Sequence, residues 1–198
     1  MFDFENSYTE KGYKLIAGMD EAGRGPLAGP VTCACVIMPL NDIIEGVDDS
    51  KKLSAKKRDF LYDKIIEKAV AFKVSFIDHE VIDEINILQA TKRGMEICVN
   101  TLQIQPDFLL VDAVKGLKIS VPYQPIIHGD ALSYNIACAS ILAKVSRDRF
   151  MEEMDKEYPL YNFAKHKGYG TKEHIELLQK YGKCAIHRDT FIKHFVKN

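Results

Sequence analysis

Four carboxylates in this chain stand where polypeptides place reactive groups. Asp20 and Glu21 are adjacent and end the stretch Tyr13-Lys14-Leu15-Ile16-Ala17-Gly18-Met19, whose loose alternation reads as a half-buried strand. Asp112 closes the apolar run Phe108-Leu109-Leu110-Val111, and Asp130 lies in His128-Gly129-Asp130-Ala131-Leu132-Ser133. Neighbours on a strand point to opposite faces, so Asp20 and Glu21 are expected to share a site through a break in the backbone there. Three glycines and two prolines follow between Gly23 and Pro30 and forbid a regular element. Glycine also lets a ligand approach the main chain closely. Clustered like charges raise one another's pKa unless a cation neutralises them. All-oxygen carboxylate sites suit Mg²⁺ or Mn²⁺. Two such ions about 4 Å apart activate water and stabilise the leaving oxygen in phosphodiester hydrolysis.

Other familiar sites fail on spacing. Gly23-x-Gly25 is no dinucleotide fingerprint, because Pro26 and Pro30 bar the helix that must follow. No Gly-Lys-Ser/Thr phosphate loop occurs, His79-Glu80 lacks a second histidine, and the remaining histidines show no zinc spacing. Ser50 and Ser133 have no His–Asp partners near them in sequence.

The elements that must position the acids can be read in order. Val31 to Met38 is rich in β-formers and should pair antiparallel with the first strand. Ser54 caps a helix carrying Phe60, Leu61, Ile65 and Ala69 on one side, and Val70 to Ile77 gives a third strand. From Ile87 to Leu102, apolar residues recur at helical spacing. Phe108 to Asp112 reads as a strand buried on both faces, as in a parallel sheet, with Asp112 at the carboxyl end where open α/β sheets place ligands. Pro122 and Pro125 reduce Lys118 to Ile127 to an interrupted edge strand. A long helix spans Ser133 to Glu157, with Lys144 and Arg147 on one face, beside a phosphate in this reading. Asn162 to Thr171 is a basic loop with glycines around Tyr169, and Thr171 caps a last helix. Phe191, Ile192, Phe195 and Val196 in the tail are expected to dock on the body.

At 198 residues the chain suits a single domain, 1–198, with a sizeable core. No apolar run approaches the ~20 residues needed to cross a bilayer. The acidic start is no signal peptide, and five cysteines without a Cys-x-x-Cys pair fit a reducing cytoplasm. The formal net charge is only −1, but its distribution is uneven. Lys51 to Arg58, Lys144 to Arg149 and Lys165 to Lys172 form basic clusters, able to bind a polyanion locally. Any one of them alone is ordinarily a solvated face.

Together these stretches resemble a bacterial ribonuclease HII, the type 2 ribonuclease H. The resemblance runs from Asp20-Glu-Ala-Gly-Arg-Gly-Pro through Asp49-Ser-Lys-Lys-Leu-Ser, Leu110-Val-Asp-Ala and Gly129-Asp-Ala-Leu-Ser. It continues through Ala139-Ser-Ile-Leu-Ala-Lys-Val-Ser-Arg-Asp to Lys165-His-Lys-Gly-Tyr-Gly-Thr. It implies an α/β ribonuclease H-like mixed sheet, three antiparallel strands then parallel ones, flanked by helices. A helical C-terminal part from about residue 158 would contact substrate. The implied activity is cleavage of RNA in RNA–DNA hybrids and on the 5′ side of single ribonucleotides embedded in duplex DNA, by a monomer using two Mg²⁺ or Mn²⁺ ions. The implied metal-binding acids are Asp20, Glu21, Asp112 and Asp130. Gly23, Arg24 and Gly25 match the loop that reads the ribose 2′-hydroxyl, Tyr169 matches the tyrosine at the RNA-to-DNA junction, and Lys51, Lys144 and Arg147 match basic positions. The chain departs from the usual pattern at His128, Tyr134-Asn135 and Cys184 to Asp189.

Two rivals share the scaffold. A non-catalytic nucleic-acid binder gains nothing from four clustered acids. A DNA-only nuclease of the same superfamily, such as a Holliday-junction resolvase, needs no 2′-hydroxyl sensor.

Overall fold

The first acid pair is carried by the central strand of a five-stranded sheet, in a computed structural model that describes residues 1–196. The strands are β1 (Ile16–Ala22), β2 (Val31–Ile37), β3 (Ala71–Ile77), β4 (Phe108–Asp112) and β5 (Tyr123–Ile126), in spatial order β3-β2-β1-β4-β5. β2 runs antiparallel to both its neighbours, β1 and β3, with Asp20 opposite Ala34. β4 runs parallel to β1, and β5 parallel to β4. This is the mixed sheet expected from the sequence. β5 does contain Pro125, and it lies at the edge, where a missing N–H costs least.

The helices are α1 (Asp3–Glu10), α2 (Ala55–Lys68), α3 (His79–Asn100), α4 (Gly129–Leu132), α5 (Tyr134–Glu157), α6 (Phe163–His166), α7 (Lys172–Tyr181) and α8 (Asp189–Ile192). Alternate residues of β1 feed opposite faces of the sheet. Ala17 and Met19 pack with Met95, Cys98 and Val99 of α3. The opposite face is covered by α5, whose Cys138, Ile141 and Leu142 meet Ala34 and Val36 of β2 and Leu61 and Ile65 of α2. Gly18 faces α5, and a Cβ there would lie 2.0 Å from the Asn135 carbonyl carbon. Helix and strand touch backbone to backbone at that point. Among the described residues, no helix is long and apolar enough to cross a membrane.

Several elements differ from expectation. α3 begins at His79 rather than Ile87, because Asp78 caps it through the Val81 N–H. The helix breaks at Asn86, which adopts φ 67°, and the Asn86 side chain accepts from the N–H groups of Leu88 and Gln89. The expected start at Ile87 is therefore a second cap within one long element. The basic loop after Asn162 contains the single turn α6. α1 was not expected at all. Its Glu5 carboxylate is buried and accepts from Ser133 Oγ at 2.6 Å and Asn135 N at 3.0 Å, sealing the N-terminus of α5. The tail docks as expected: Ile192 packs with Leu27 and Leu178, and Phe195 lies against them.

The contact at Gly18 gives a direct check. Gly18→Ala must push α5 away from the central strand and is expected to cost about 3 kcal/mol, read as a lower urea midpoint with an unchanged slope. A midpoint equal to that of the parent would refute the backbone contact.

Candidate active site

The end of β1 opens into a cavity of about 260 Å³. Asp20, Glu21 and Asp112 line it, together with the Gly23-Arg24-Gly25 loop, Lys51, Lys144 and Tyr169. The expected break between Asp20 and Glu21 does not occur. β1 continues through both acids to Ala22, and the turn begins at Gly23 with φ 92°. The two acids share a cavity because it lies across the end of the sheet, where side chains from both faces reach it.

Each acid is held by local structure. Asp20 Oδ1 accepts from the Glu21 N–H at 2.7 Å. Asp112 ends β4 and accepts from the Gly129 N–H at 2.7 Å, which ties it to the turn before α4. Asp130, in the first turn of α4, is buried and does not line the cavity, but Lys51 Nζ lies 3.3 Å from its Oδ2. The loop bearing Lys51 is braced by Arg58, whose guanidinium donates to the carbonyls of Ser50 and Leu53. Arg24 pairs with Glu21 Oε1 at 3.2 Å, leaving Glu21 Oε2 buried with no hydrogen-bond partner among the described residues.

Burial dominates the electrostatics. It pushes the Asp20 carboxyl well above the ordinary carboxylate range, and the neighbouring charges of Glu21 and Asp112 push the same way. Glu21 is also raised by burial, against the pull of Arg24. Asp112 is raised by burial, against the Gly129 N–H. Hard, acceptor-only oxygens with an unpartnered buried atom suit a divalent cation. The shell is not closed as it stands: among the described residues, no three acidic, histidine or cysteine side chains are grouped to hold a metal.

The remaining candidates separate into two kinds. Lys51 is largely exposed, Tyr169 is 41% exposed, and Lys144 Nζ stands 6.0 Å from the Tyr169 ring centroid while bonded to Asp148. Gly25 has open space beside it. Arg147 also lies against Tyr169, its guanidinium carbon 5.6 Å from the ring centroid, but it is buried. It is 1% exposed, and its guanidinium donates to the carbonyls of Ala28, Pro30 and Lys167. Three-residue spacing put Lys144 and Arg147 on one side of α5, but Gly23 and Gly29 leave a recess into which Arg147 turns. Arg147 thus stands bonded to backbone carbonyls rather than open to solvent. Ser50, weighed above only as a nucleophile, and Ser140, not singled out in the sequence, also line the cavity, with their hydroxyls 2.9 Å apart. Ser140 sits among small residues of α5 and carried only a packing signal.

Comparison with known proteins agrees with this architecture. The family model described as Ribonuclease HII matches residues 17–197. The chain is 55% identical to the ribonuclease HII of Caldicellulosiruptor bescii over 195 residues, 98% of this chain and 95% of that protein. It is 53% identical to the ribonuclease HII of Acetivibrio thermocellus, covering 98% of this chain and 75% of that one. Among solved structures, ribonuclease H2 from Pyrococcus horikoshii OT3 superposes with a TM-score of 0.78 at 27% identity, covering 92% of this chain and 99% of that chain. A sheet with this strand order, acids gathered at the end of its central strand, and whole-chain similarity to these nucleases lead to one conclusion: the chain belongs to the ribonuclease HII family.

Proposed function

We propose that this protein is an endonuclease that hydrolyses the RNA strand of RNA–DNA hybrids and cuts on the 5′ side of single ribonucleotides embedded in duplex DNA. The observation that carries this reading is that acids, a glycine-lined loop and an exposed tyrosine line one cavity. Asp20, Glu21, Asp112 and Asp130 would hold divalent cations, Mg²⁺ or Mn²⁺, with two present in the reacting complex. When bound, the cations supply an activated water and charge stabilisation at the leaving oxygen. Water oxygen bonds to phosphorus, the bond from phosphorus to the upstream 3′-oxygen breaks, and that oxygen takes up a proton. The ends are a 3′-hydroxyl and a 5′-phosphate.

The chain's own groups do the remaining work. Arg24 keeps one Glu21 oxygen neutralised while the other stays free for a cation. Lys51 reaches from an exposed stem, so it can leave Asp130 for a substrate phosphate. Lys144 supplies a second positive charge beside Tyr169. The Gly23-Arg24-Gly25 main chain reads the 2′-hydroxyl, and Tyr169 stacks where the strand changes from RNA to DNA. Residues from about 158 onward supply that part of the substrate contact. The primary test is a labelled DNA duplex with one internal ribonucleotide, incubated with and without Mg²⁺. Cleavage at that residue only with metal is expected, and an uncut duplex in both arms would refute the reading.

Asp20→Asn probes the acids twice. Turnover should fall by at least ~10³-fold, the scale on which preorganised charge acts, while duplex binding persists. The folded metal-free protein holds the Asp20 proton more tightly than the unfolded chain does, so its stability declines as pH rises above the ordinary carboxylate range. The variant should show a shallower decline, unfold at a higher temperature at neutral pH, and gain less stability from Mg²⁺. Comparable turnover, or the same pH dependence of unfolding, would count against it.

Lys144→Ala should weaken duplex binding and make the plot of log affinity against log salt shallower by about one. An unchanged slope would remove Lys144 from the phosphate face. Tyr169→Ala should cost about tenfold or more on a lone embedded ribonucleotide, the scale of a lost stack, and less on a long hybrid. Equal losses on the two substrates would leave Tyr169 a packing residue.

A further inference from the structure

Arg188 is fully buried, although it lies in the tail, far in sequence from the acids. Its guanidinium donates to three carbonyls of one loop: Nε to Gly29 at 2.9 Å, Nη1 to Arg24 at 2.9 Å and Nη2 to Gly23 at 2.6 Å. Its own N–H donates to the Leu27 carbonyl, and Gly29 N donates to Ile186, so the two segments are laced together. The Phe191 ring lies 5.1 Å from its guanidinium carbon. Burial, reinforced by the charge of Arg147, lowers its pKa to about 9, so the group remains a cation at neutral pH.

The geometry of the peptide bond turns this into a statement about the cavity. No described peptide is cis, and in a trans peptide the C=O and N–H point in opposite directions. The Gly23 and Arg24 carbonyls both point inward to Arg188. The N–H groups sharing those peptides, on Arg24 and Gly25, therefore point away from it. Both residues are exposed and line the cavity. Neither N–H has an acceptor among the described residues. Beside Gly25 there is room for a ligand. Two successive main-chain donors turned the same way form a concave site for an oxygen acceptor.

We propose that Arg188 is the positioning residue of the ribonucleotide-reading loop, drawing two carbonyls inward so that the Arg24 and Gly25 N–H groups stand fixed toward the substrate's 2′-hydroxyl and adjoining phosphate. The proposal deepens the reading of the site given above and rests on it. A planar fork is required, because one group must serve three carbonyls in fixed directions. A lysine keeps the charge but presents a single nitrogen. Arg147 performs the neighbouring task, tying Ala28 and Pro30 to Lys167, while Leu27 N donates to the Gly168 carbonyl beside Tyr169. Arg188 is the guanidinium that sets the direction of the donors themselves.

The test compares Arg188 with Arg188→Lys in the non-cleaving Asp20→Asn background, against a duplex with one ribonucleotide and the same duplex in all-DNA form. With Arg188 present, the ribonucleotide duplex should bind more tightly; if it does not, the substrate reading fails before Arg188 is questioned. Given that preference, Arg188→Lys should reduce it by about tenfold, one well-aligned hydrogen bond's worth, with all-DNA binding retained and the protein still folded. A retained preference, or equal weakening toward both duplexes, would overturn the proposal. Should Arg188→Lys fail to fold, amide NMR of the Asp20→Asn protein decides. The Arg24 and Gly25 amides should exchange rapidly in the free protein and shift with the ribonucleotide duplex but not with all-DNA. Protected amides, or no such shift, would overturn it.

Discussion

Negative charge collected at the end of a buried strand is the constraint around which this molecule is built. Asp20 sits at the middle of the sheet, in contact with the fields of Glu21 and Asp112, and burial already disfavours its ionised form. Such a grouping weakens the fold that holds it unless counter-charge is near. The structure offsets the repulsion with partners that can be exchanged. Arg24 lies on Glu21, the Gly129 N–H on Asp112, and the Lys51 ammonium on Asp130. The rigidity comes from elsewhere. β1 is clamped between α3 and α5, with Gly18 allowing helix backbone to rest on strand backbone two residues before the first acid. Packing is concentrated in the scaffold, and charge repulsion in the site.

Much of this was legible because periodicity and punctuation are local. The strand order's antiparallel half followed from β-formers either side of a Gly/Pro turn, and the parallel half from a doubly buried apolar run. Ser54 and Thr171 were readable as caps, and each accepts from the N–H three residues on, as does Ser133, read only as the start of its helix. The gathering of Asp20, Glu21 and Asp112 was anticipated from their places at element ends. The rest depended on contacts that leave no trace nearby. α1 is short and weakly patterned, and its Glu5 finds its partners at Ser133 and Asn135, 128 and 130 residues away. Asn86 stood just before the expected helix, yet the element already begins at His79 and a left-handed backbone at Asn86 restarts it. Arginine in a basic stretch signals exposure by default. Nothing in the sequence near Arg147 announces that two distant glycines make room for it.

The two buried guanidiniums invert the usual expectation for charged side chains. Arg147 and Arg188 give their donors to backbone carbonyls of irregular loops, the groups that a sheet or helix would otherwise satisfy. A segment with this much glycine and proline has no ladder of its own. Cations threaded beneath it replace one, and the loop acquires a definite shape without becoming a regular element. The buried histidines extend the same logic. His174 Nδ1 lies 2.9 Å from the Tyr169 carbonyl, and burial lowers the pKa of His174 to about 4, so it supports the loop as a neutral ring.

The distance between Glu5 and its partners bears on how the chain is made. During synthesis, α1 and β1 leave the ribosome early, whereas Ser133 and the body of α5 follow more than a hundred residues later. At roughly 5–20 residues per second, that interval lasts about 6 to 26 seconds. Throughout it the central strand lacks the helix that covers one of its faces, and Glu5 lacks the donors that match its buried carboxylate. The nascent first half can pair β1 with β2 and β3 and lay α3 over one side, but the other side stays open. Completion of α5 is therefore the event that closes the molecule, and a ribosomal pause placed before residue 134 would prolong the interval in which an uncovered β-sheet is exposed to neighbouring chains.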